Sequence, residues 1–278
     1  TFAELVKISG LSHGTDVWMG NVRDLINDKI VDFKDVIGCR DDIMTYLISM
    51  GLEPLTAFKI MEFVRKGKPS QDKTTWKEFE EKMREKNVPE WYITSCSKIK
   101  YMFPKAHATA YIMMALRVAY FKVYYPIYYY ASYFSVRCFD FEIEKMIKGY
   151  NAIKEKLIEY EKLGYEITTK DADKQGVLEL ALEFTARGFN FKNVDLYKSD
   201  AKRFVIDEDN KSLIPPFITL SGLGDTVAYK IVEERQKGKF ISKEDLQKRA
   251  KVSTTLIDKM NMMGILNDLP DSSQLSLF

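Results

Sequence analysis

Two short stretches of the chain combine residue types that suit an anionic ligand. In residues 103–107 (FPKAH), Lys105 and His107 lie two positions apart at the start of a predicted helix. The unpaired N–H groups and the positive dipole end of a helix N-terminus attract anions such as phosphate. We therefore predict a compact cationic site for a triphosphate or a phosphodiester. In the alternative interpretation both are ordinary surface residues, which is the commoner case for this pattern taken alone.

The second stretch, residues 220–232 (LSGLGDTVAYKIV), predicts a tight hairpin followed at once by a helix. Glycine tolerates positive φ and lets the backbone approach a ligand closely, and N–H groups at the helix start then face an anion. This is the pattern of a helix-hairpin-helix motif, which binds DNA phosphates irrespective of sequence. The alternative is a glycine-capped turn between core helices. The predicted DNA contacts are Gly222, Leu223, Gly224, Asp225, Thr226 and Lys230.

A polar loop near the start of the chain holds the other histidine. Ser12, His13, Thr15 and Asp16 lie in residues 10–18 (GLSHGTDVW) between apolar segments. A Ser–His–Asp hydrolase is rejected, because residues so close in sequence do not align as nucleophile, base and orienting group. A capped loop is the open alternative to a binding role.

The last five residues have the composition of a short linear binding motif. They follow a polar stretch. Their apolar side chains can fill a pocket on a partner, and the glutamine can fix the register of the bound segment, as in tails that become ordered on docking. The alternative is a final strand or helix turn packed on the same chain. The motif consists of Gln274, Leu275, Ser276, Leu277 and Phe278.

Hydrophobic periodicity predicts the elements that carry these residues. Helical spacing dominates residues 1–139, and a long amphipathic helix is expected over residues 141–163. Residues 189–214 favour short β-strands with a turn at residues 207–210.

Two helix pairs are expected after the strands, the second with a degenerate hairpin at residues 250–253. The predicted fold class is therefore mainly α and multidomain. Its parts are a helical domain, a connecting helix with a small α+β segment, a tandem helix-hairpin-helix unit and a flexible C-terminal tail, over residues 1–140, 141–214, 215–268 and 269–278.

Composition excludes some function classes. The formal net charge of +2 gives no global basic signature, so nucleic-acid contacts must come from local groups. Three widely spaced cysteines and two histidines disfavour a zinc site, and unpaired cysteines favour a reducing, cytoplasmic compartment. No apolar run approaches the roughly 20 residues of a membrane helix. Because the chain begins with Thr1 inside an apolar pattern, we expect it to be part of a longer protein.

Residues 4–18 (ELVKISGLSHGTDVW) and 105–111 (KAHATAY) resemble the fingers domain of PolC-type bacterial DNA polymerase III, a C-family polymerase. The 221–224 hairpin is similar to that family's duplex-binding helix-hairpin-helix region, and residues 274–278 to its sliding-clamp motif. The resemblance implies template-directed DNA synthesis and a fingers domain over residues 1–140. It implies that the pocket for the incoming nucleotide is lined by Ser12, His13, Thr15, Phe103, Lys105 and His107.

The resemblance also implies partners and groups beyond this chain. They are primer–template duplex DNA, dNTP, the bacterial sliding clamp, and an upstream polymerase segment with a proofreading exonuclease and with palm aspartates that hold Mg²⁺. No catalytic or metal-binding residue is expected within residues 1–278, because Asp171 and Asp173 are expected in a loop and Asp207 and Asp209 in a turn. The chain alone is therefore predicted not to polymerise DNA.

A different class of function explains part of the same pattern. A non-catalytic, clamp-associated DNA-binding module would use the hairpin and the tail, but it assigns no purpose to the polymerase-like residues 1–140. A native chain that continues upstream into paired palm aspartates would favour the polymerase.

The tail motif leads to a direct prediction. The chain should bind a bacterial sliding clamp, and removal of residues 274–278 should abolish that binding, because the motif holds the only predicted clamp contacts. Surface plasmon resonance on immobilised clamp measures the difference. Equal binding by the intact and shortened chains would contradict the assignment of the tail.

Overall fold

The computed structural model describes residues 1–272, so the predicted clamp motif at residues 274–278 lies outside the described part of the chain. The described residues form two compact units, 1–118 and 119 onward. The mainly α, multidomain fold class is confirmed. The division between the units falls within one helix. It lies N-terminal to residue 140, where the first predicted domain ends. The predicted domain bounds stay predictions.

The first unit is helical and packs around one main apolar core. Buried residues that include Val17, Ile60 and Tyr92 fill it. The helices are α1 (Phe2–His13), α2 (Arg23–Asn27), α3 (Arg40–Ser49), α4 (Pro54–Arg65), α5 (Lys73–Glu85) and α6 (Glu90–Lys98), followed by α7 (Lys105–Tyr124), which continues into the second unit.

Local sequence signals account for several of these helix ends. Thr1 caps α1 in a capping box with Glu4, and the carboxylate of Glu53 accepts from two N–H groups at the start of α4. Asp72 caps α5. Helix α7 ends just before Pro126, since proline disfavours helical backbone in the residue preceding it.

The second unit contains the remaining helices and the small sheet. Its helices are α8 (Pro126–Val136), α9 (Ile143–Met146), α10 (Tyr150–Leu163), α11 (Thr169–Ala186), α12 (Asp225–Gln236), α13 (Lys243–Ala250) and α14 (Thr254–Met262). Its strands are β1 (Asn190–Phe191), β2 (Val205–Ile206) and β3 (Ser212–Ile214), in the order β1-β3-β2. β3 pairs parallel with β1 and antiparallel with β2, which confirms the predicted hairpin and its turn.

An aromatic cluster forms the centre of this unit. The ring of Phe134 is fully buried and contacts Phe141, Phe184 and Phe191 with centroids 5.9, 5.8 and 5.0 Å away. Such edge-to-face arrangements add to the free energy of burial. The cluster joins α8 and α11 to the small sheet and so provides a rigid support for the helices that follow.

Two local predictions are wrong. The connecting helix predicted over residues 141–163 is interrupted at Gly149, whose φ of +85° is incompatible with a continuous helix, so α9 and α10 are separate. Asp171 and Asp173 lie in α11 rather than in a loop. Thr168 caps that helix by accepting from the Asp171 N–H, and the helix continues through Gly176 at a cost of about 1 kcal/mol relative to alanine.

The first helix of the expected first pair is short. A 3-10 turn at Phe217–Thr219 precedes the hairpin, in the place of the first helix of that pair. Helices α13 and α14 flank the second, degenerate hairpin, in which Lys251 takes a left-handed conformation with φ of +56°.

Candidate nucleotide and DNA sites

An extended segment at residues 99–104 connects α6 to α7 and positions the predicted nucleotide site. The Thr15 N–H donates to the Tyr101 carbonyl at 2.9 Å, and the Tyr101 N–H donates back at 3.3 Å. The Arg40 N–H donates to the Phe103 carbonyl at 3.2 Å. Backbone pairing therefore brings the loop after α1 and the start of α3 against the residues that precede α7.

Three of the predicted residues form a row of rings. His13 and Phe103 have centroids 5.0 Å apart, and Phe103 and His107 have centroids 5.1 Å apart. Tyr111 extends the row, 4.6 Å from His107. Sequence reasoning missed Tyr111, although its position four residues after His107 places both on one face of a helix. Both histidines are exposed, so the row forms a surface of flat aromatic faces with polar edges.

Lys105 is held by two aspartates that the sequence analysis did not assign. Its Nζ donates to Asp42 Oδ1 at 3.1 Å, and its backbone N–H donates to Asp41 Oδ2 at 2.8 Å. Asp42 also accepts from the N–H of Cys39 at 3.0 Å, which fixes the carboxylate at the start of α3. Attraction to the Asp42 charge raises the pKa of Lys105, so the lysine stays cationic throughout the physiological pH range.

The start of α7 retains donors for an anion. In the part of the chain that the structure describes, the N–H groups of Ala106 and His107 have no hydrogen-bond partner. Together with the half-exposed ammonium of Lys105, they lie at the positive end of a 20-residue helix. This combination suits a phosphate or triphosphate group, as the sequence predicts.

Ser12 and Thr15 border a second feature, an open cavity of about 730 Å³ whose wall also includes Leu11 and Trp18. Its size and mixed lining are typical of small-molecule sites. The Ser12 hydroxyl donates to the Ser9 carbonyl of its own helix at 3.0 Å.

The hydrolase alternative has no geometric support around Ser12. Asp16 forms an ion pair with Lys100 at 2.6 Å, and the His13 ring contacts Phe103. No Ser–His–Asp relay connects Ser12, His13 and Asp16 in this arrangement.

The predicted DNA-binding hairpin has the expected backbone. Gly222 has φ of +92°, which favours glycine, and Leu223 is buried to 3% exposure, with its N–H donating to the Leu220 carbonyl at 2.9 Å. A Cβ added at Gly224 would meet no atom within 4 Å, so the backbone there is open to a ligand. The leucine thus anchors a hairpin whose two glycines face outward.

Around the hairpin, the N–H groups of Gly222, Gly224 and Asp225 have no partner among the described residues. Thr226 is exposed beside them in the first turn of α12. These donors form the surface expected for a DNA phosphate.

The charged side chains near the hairpin are paired. The Asp225 carboxylate accepts from Lys202 at 2.7 Å. Lys230 is paired with Glu234 at 3.1 Å and with Glu233 at 3.2 Å, and hydrogen bonds to these glutamates raise its pKa. The pairing of Lys230 makes it a weaker candidate for phosphate contact than the hairpin N–H groups.

Two known families match parts of this chain. The bacterial DNA polymerase III alpha subunit finger domain matches residues 1–87, and the helix-hairpin-helix motif matches residues 188–275. Three curated relatives, each a "DNA polymerase III PolC-type", align along the whole chain. The sequence is 56% identical over 278 residues to the protein of Bacillus subtilis strain 168, 57% over 278 residues to that of Listeria monocytogenes EGD-e and 55% over 281 residues to that of Lactococcus lactis IL1403.

Along its whole length, the chain is similar to one part of the PolC-type DNA polymerase III proteins. All of the chain is covered in these alignments, but only 19%, 19% and 17% of the three relatives. The chain thus spans about a fifth of the length of the curated relatives it matches, and it corresponds to the C-terminal part of a PolC. The fingers and helix-hairpin-helix resemblances inferred from residues 4–18 and 221–224 are confirmed.

Within residues 1–272, no group of three or more His, Cys, Asp or Glu side chains is arranged to hold a metal ion, and no helix is long and apolar enough to cross a membrane. Cys39, Cys96 and Cys138 are free and buried, and burial raises the pKa of each thiol.

The contact between Lys105 and Asp42 predicts a measurable pKa change. Asp42→Asn should lower the pKa of Lys105, because the asparagine keeps the shape of the side chain but removes the charge that raises this pKa. A titration of the lysine ¹³Cε resonances by NMR measures it. Asp32→Asn, at an exposed carboxylate, is the control and should leave the Lys105 resonance unchanged. An unchanged pKa in Asp42→Asn would show that the pair does not form in solution.

Proposed function

We propose that this chain forms the nucleotide-binding fingers and the duplex-binding region of a replicative DNA polymerase. The observation that carries the proposal is the alignment of all 278 residues with PolC-type DNA polymerase III relatives at 55–57% identity. The activity proposed for the complete protein is template-directed nucleotidyl transfer in the cytoplasm. The three buried free cysteines accord with that compartment.

The proposed nucleotide site lies where residues 99–104 meet α1 and α7. The free N–H groups of Ala106 and His107 and the ammonium of Lys105 support triphosphate binding, since three donors converge on one helix start. The ring row of His13, Phe103 and His107 offers flat faces beside that site, and such faces suit contact with a nucleoside. Ser12 and Thr15 line the adjoining cavity.

The proposed DNA contact is the glycine hairpin. Its unpaired N–H groups bind phosphate oxygens, which carry no base sequence. Binding of duplex DNA should therefore fall steeply with salt concentration and ignore sequence. The match of the helix-hairpin-helix motif over residues 188–275 supports this role.

The chemistry of phosphoryl transfer is assigned to other parts of the polymerase. The described residues do not fit a Mg²⁺ site, because no group of three or more suitable side chains converges. Because the alignments cover only 19%, 19% and 17% of the three relatives, we propose that the catalytic aspartates and their metal ions lie in a part of the polymerase outside this chain, and that the chain alone does not polymerise. The sliding clamp is the proposed partner of residues 274–278.

The alternative, a non-catalytic, clamp-associated DNA-binding module, explains fewer of the observations. It leaves the finger-domain match over residues 1–87 without a function.

Removal of the Lys105 ammonium tests the nucleotide site. In the full-length polymerase that contains this chain, Lys105→Ala should raise the apparent KM for dNTP about tenfold or more, because a charge-assisted hydrogen bond contributes about 1.5–3 kcal/mol. Steady-state primer extension at varied dNTP concentration gives the KM. Lys77→Ala removes an exposed lysine of α5, outside the site, and is the matched control, which should change the KM by less than about twofold. Unchanged KM and kcat in Lys105→Ala would remove this residue from the site.

A further inference from the structure

A cavity of about 650 Å³ lies in the second unit next to the DNA-binding hairpin. Residues 218–225, which include the whole hairpin, form one wall. The rest of the lining comes from residues 138–145 and from lysines of α10, α11 and α14. A ligand held by the hairpin N–H groups would therefore lie at the rim of this cavity.

Lysines from several separate helices converge on the cavity. α9, α10 and α14 each contribute one, and α11 contributes two. Their elements are far apart in sequence, so the convergence is a product of the tertiary fold and not of one charged helix face. The five are Lys145, Lys156, Lys170, Lys174 and Lys259.

Three of these lysines are paired with carboxylates. Lys174 lies 3.4 Å from Glu142, and Lys259 lies 3.1 Å from Glu144. Lys156 donates to Glu159 at 2.8 Å. These ion pairs are at least partly exposed, and such pairs contribute only about 0–1 kcal/mol each. The carboxylates of Glu142 and Glu144 stay on the cavity wall beside any bound phosphate, so these three lysines are weaker candidates for phosphate contact than an unpaired lysine.

The other two lysines have no such partner. Among the described residues, no carboxylate lies within 4.0 Å of the ammonium of Lys145 or Lys170. Lys145 is half-buried at the cavity wall, and Lys170 is exposed in the first turn of α11. Their charges are available to a ligand without the loss of an existing ion pair.

We infer that this cavity binds the phosphate backbone of the same DNA duplex that the hairpin contacts, with Lys145 and Lys170 as its main cationic contacts. The inference rests on the proposed function of the hairpin. It extends the DNA-binding surface from the phosphate at the hairpin to further phosphates along one DNA strand. Lysine ammonium groups bind phosphates as point charges without base recognition. The added surface strengthens binding to DNA of any sequence.

The test uses the full chain and a fluorescent DNA duplex, with affinity measured by anisotropy between 50 and 200 mM salt. The double variant Lys145→Ala/Lys170→Ala should bind about tenfold or more weakly, and its slope of log K against log salt should fall by about two, since each lost phosphate contact removes about 0.9. The matched control, Lys148→Ala/Lys154→Ala, removes the same charge from exposed positions outside the cavity and should bind like the unchanged chain. Circular dichroism confirms that each variant is folded.

A third variant separates this inference from the function of the hairpin. Gly222→Val strains the hairpin and should weaken duplex binding by itself. If Gly222→Val weakens binding while Lys145→Ala/Lys170→Ala matches its control, the cavity does not bind DNA and the hairpin still does. If the unchanged chain does not bind the duplex at all, the proposed function of the hairpin fails and the inference fails with it.

Discussion

The arrangement of the first unit depends on the backbone pairing of residues 99–104. Their peptide groups bond to Thr15 and Arg40, and the Met102 N–H donates to the Arg65 carbonyl at 3.3 Å. The approach is close enough that a Cβ on Gly67 would lie 2.6 Å from the Lys100 carbonyl oxygen. Peptide groups of four separate elements are thereby fixed relative to one another.

This constraint determines where α7 starts, and with it where the proposed triphosphate donors lie. Phe103 lies within the fixed segment and Lys105 follows it directly, and the Asp41 carboxylate accepts from the backbone N–H of Lys105, the first residue of the helix. The side chains that would contact nucleotide are therefore positioned by main-chain bonds, which do not depend on what those side chains are. Functional groups held by a rigid frame are well placed for their ligands.

The hairpin of the second unit is supported in a different way. Leu223 packs into the apolar core that also contains Ala228 and Ile231 of α12. This contact fixes the buried side of the turn, while its two glycines stay exposed to solvent. The aromatic cluster around Phe134 belongs to the same continuous core. Apolar burial rather than charge fixes the hairpin, which leaves its N–H groups free for phosphate.

The sequence is informative where a local rule decides the structure. The helical character of the first unit, the small hairpin of β2 and β3 and the conformation of Gly222 follow from spacing and turn chemistry, and the structure agrees. The break at Gly149 was missed because helical periodicity continues on both sides of it. The position of Asp171 and Asp173 within α11 was missed because these residues lie in a polar stretch that resembles a loop.

The contacts within the candidate site are less predictable, because they join residues distant in sequence. Asp42 and Lys105 are 63 positions apart, and no local pattern connects them. Likewise, the lysines around the second-unit cavity come from four helices that each look like an ordinary solvated surface. Only the folded chain shows which of these surface charges line one cavity.

Hydrogen–deuterium exchange on the full-length polymerase tests the central claim most directly. The enzyme is held on a primer–template with a dideoxy-terminated primer, and exchange is followed with the templated dNTP or with a non-complementary one. The account predicts that amides of residues 103–108 exchange more slowly with the templated dNTP only, because the free N–H groups at the start of α7 bind its triphosphate. Equal exchange with both nucleotides would contradict the assignment of this helix start to the incoming nucleotide.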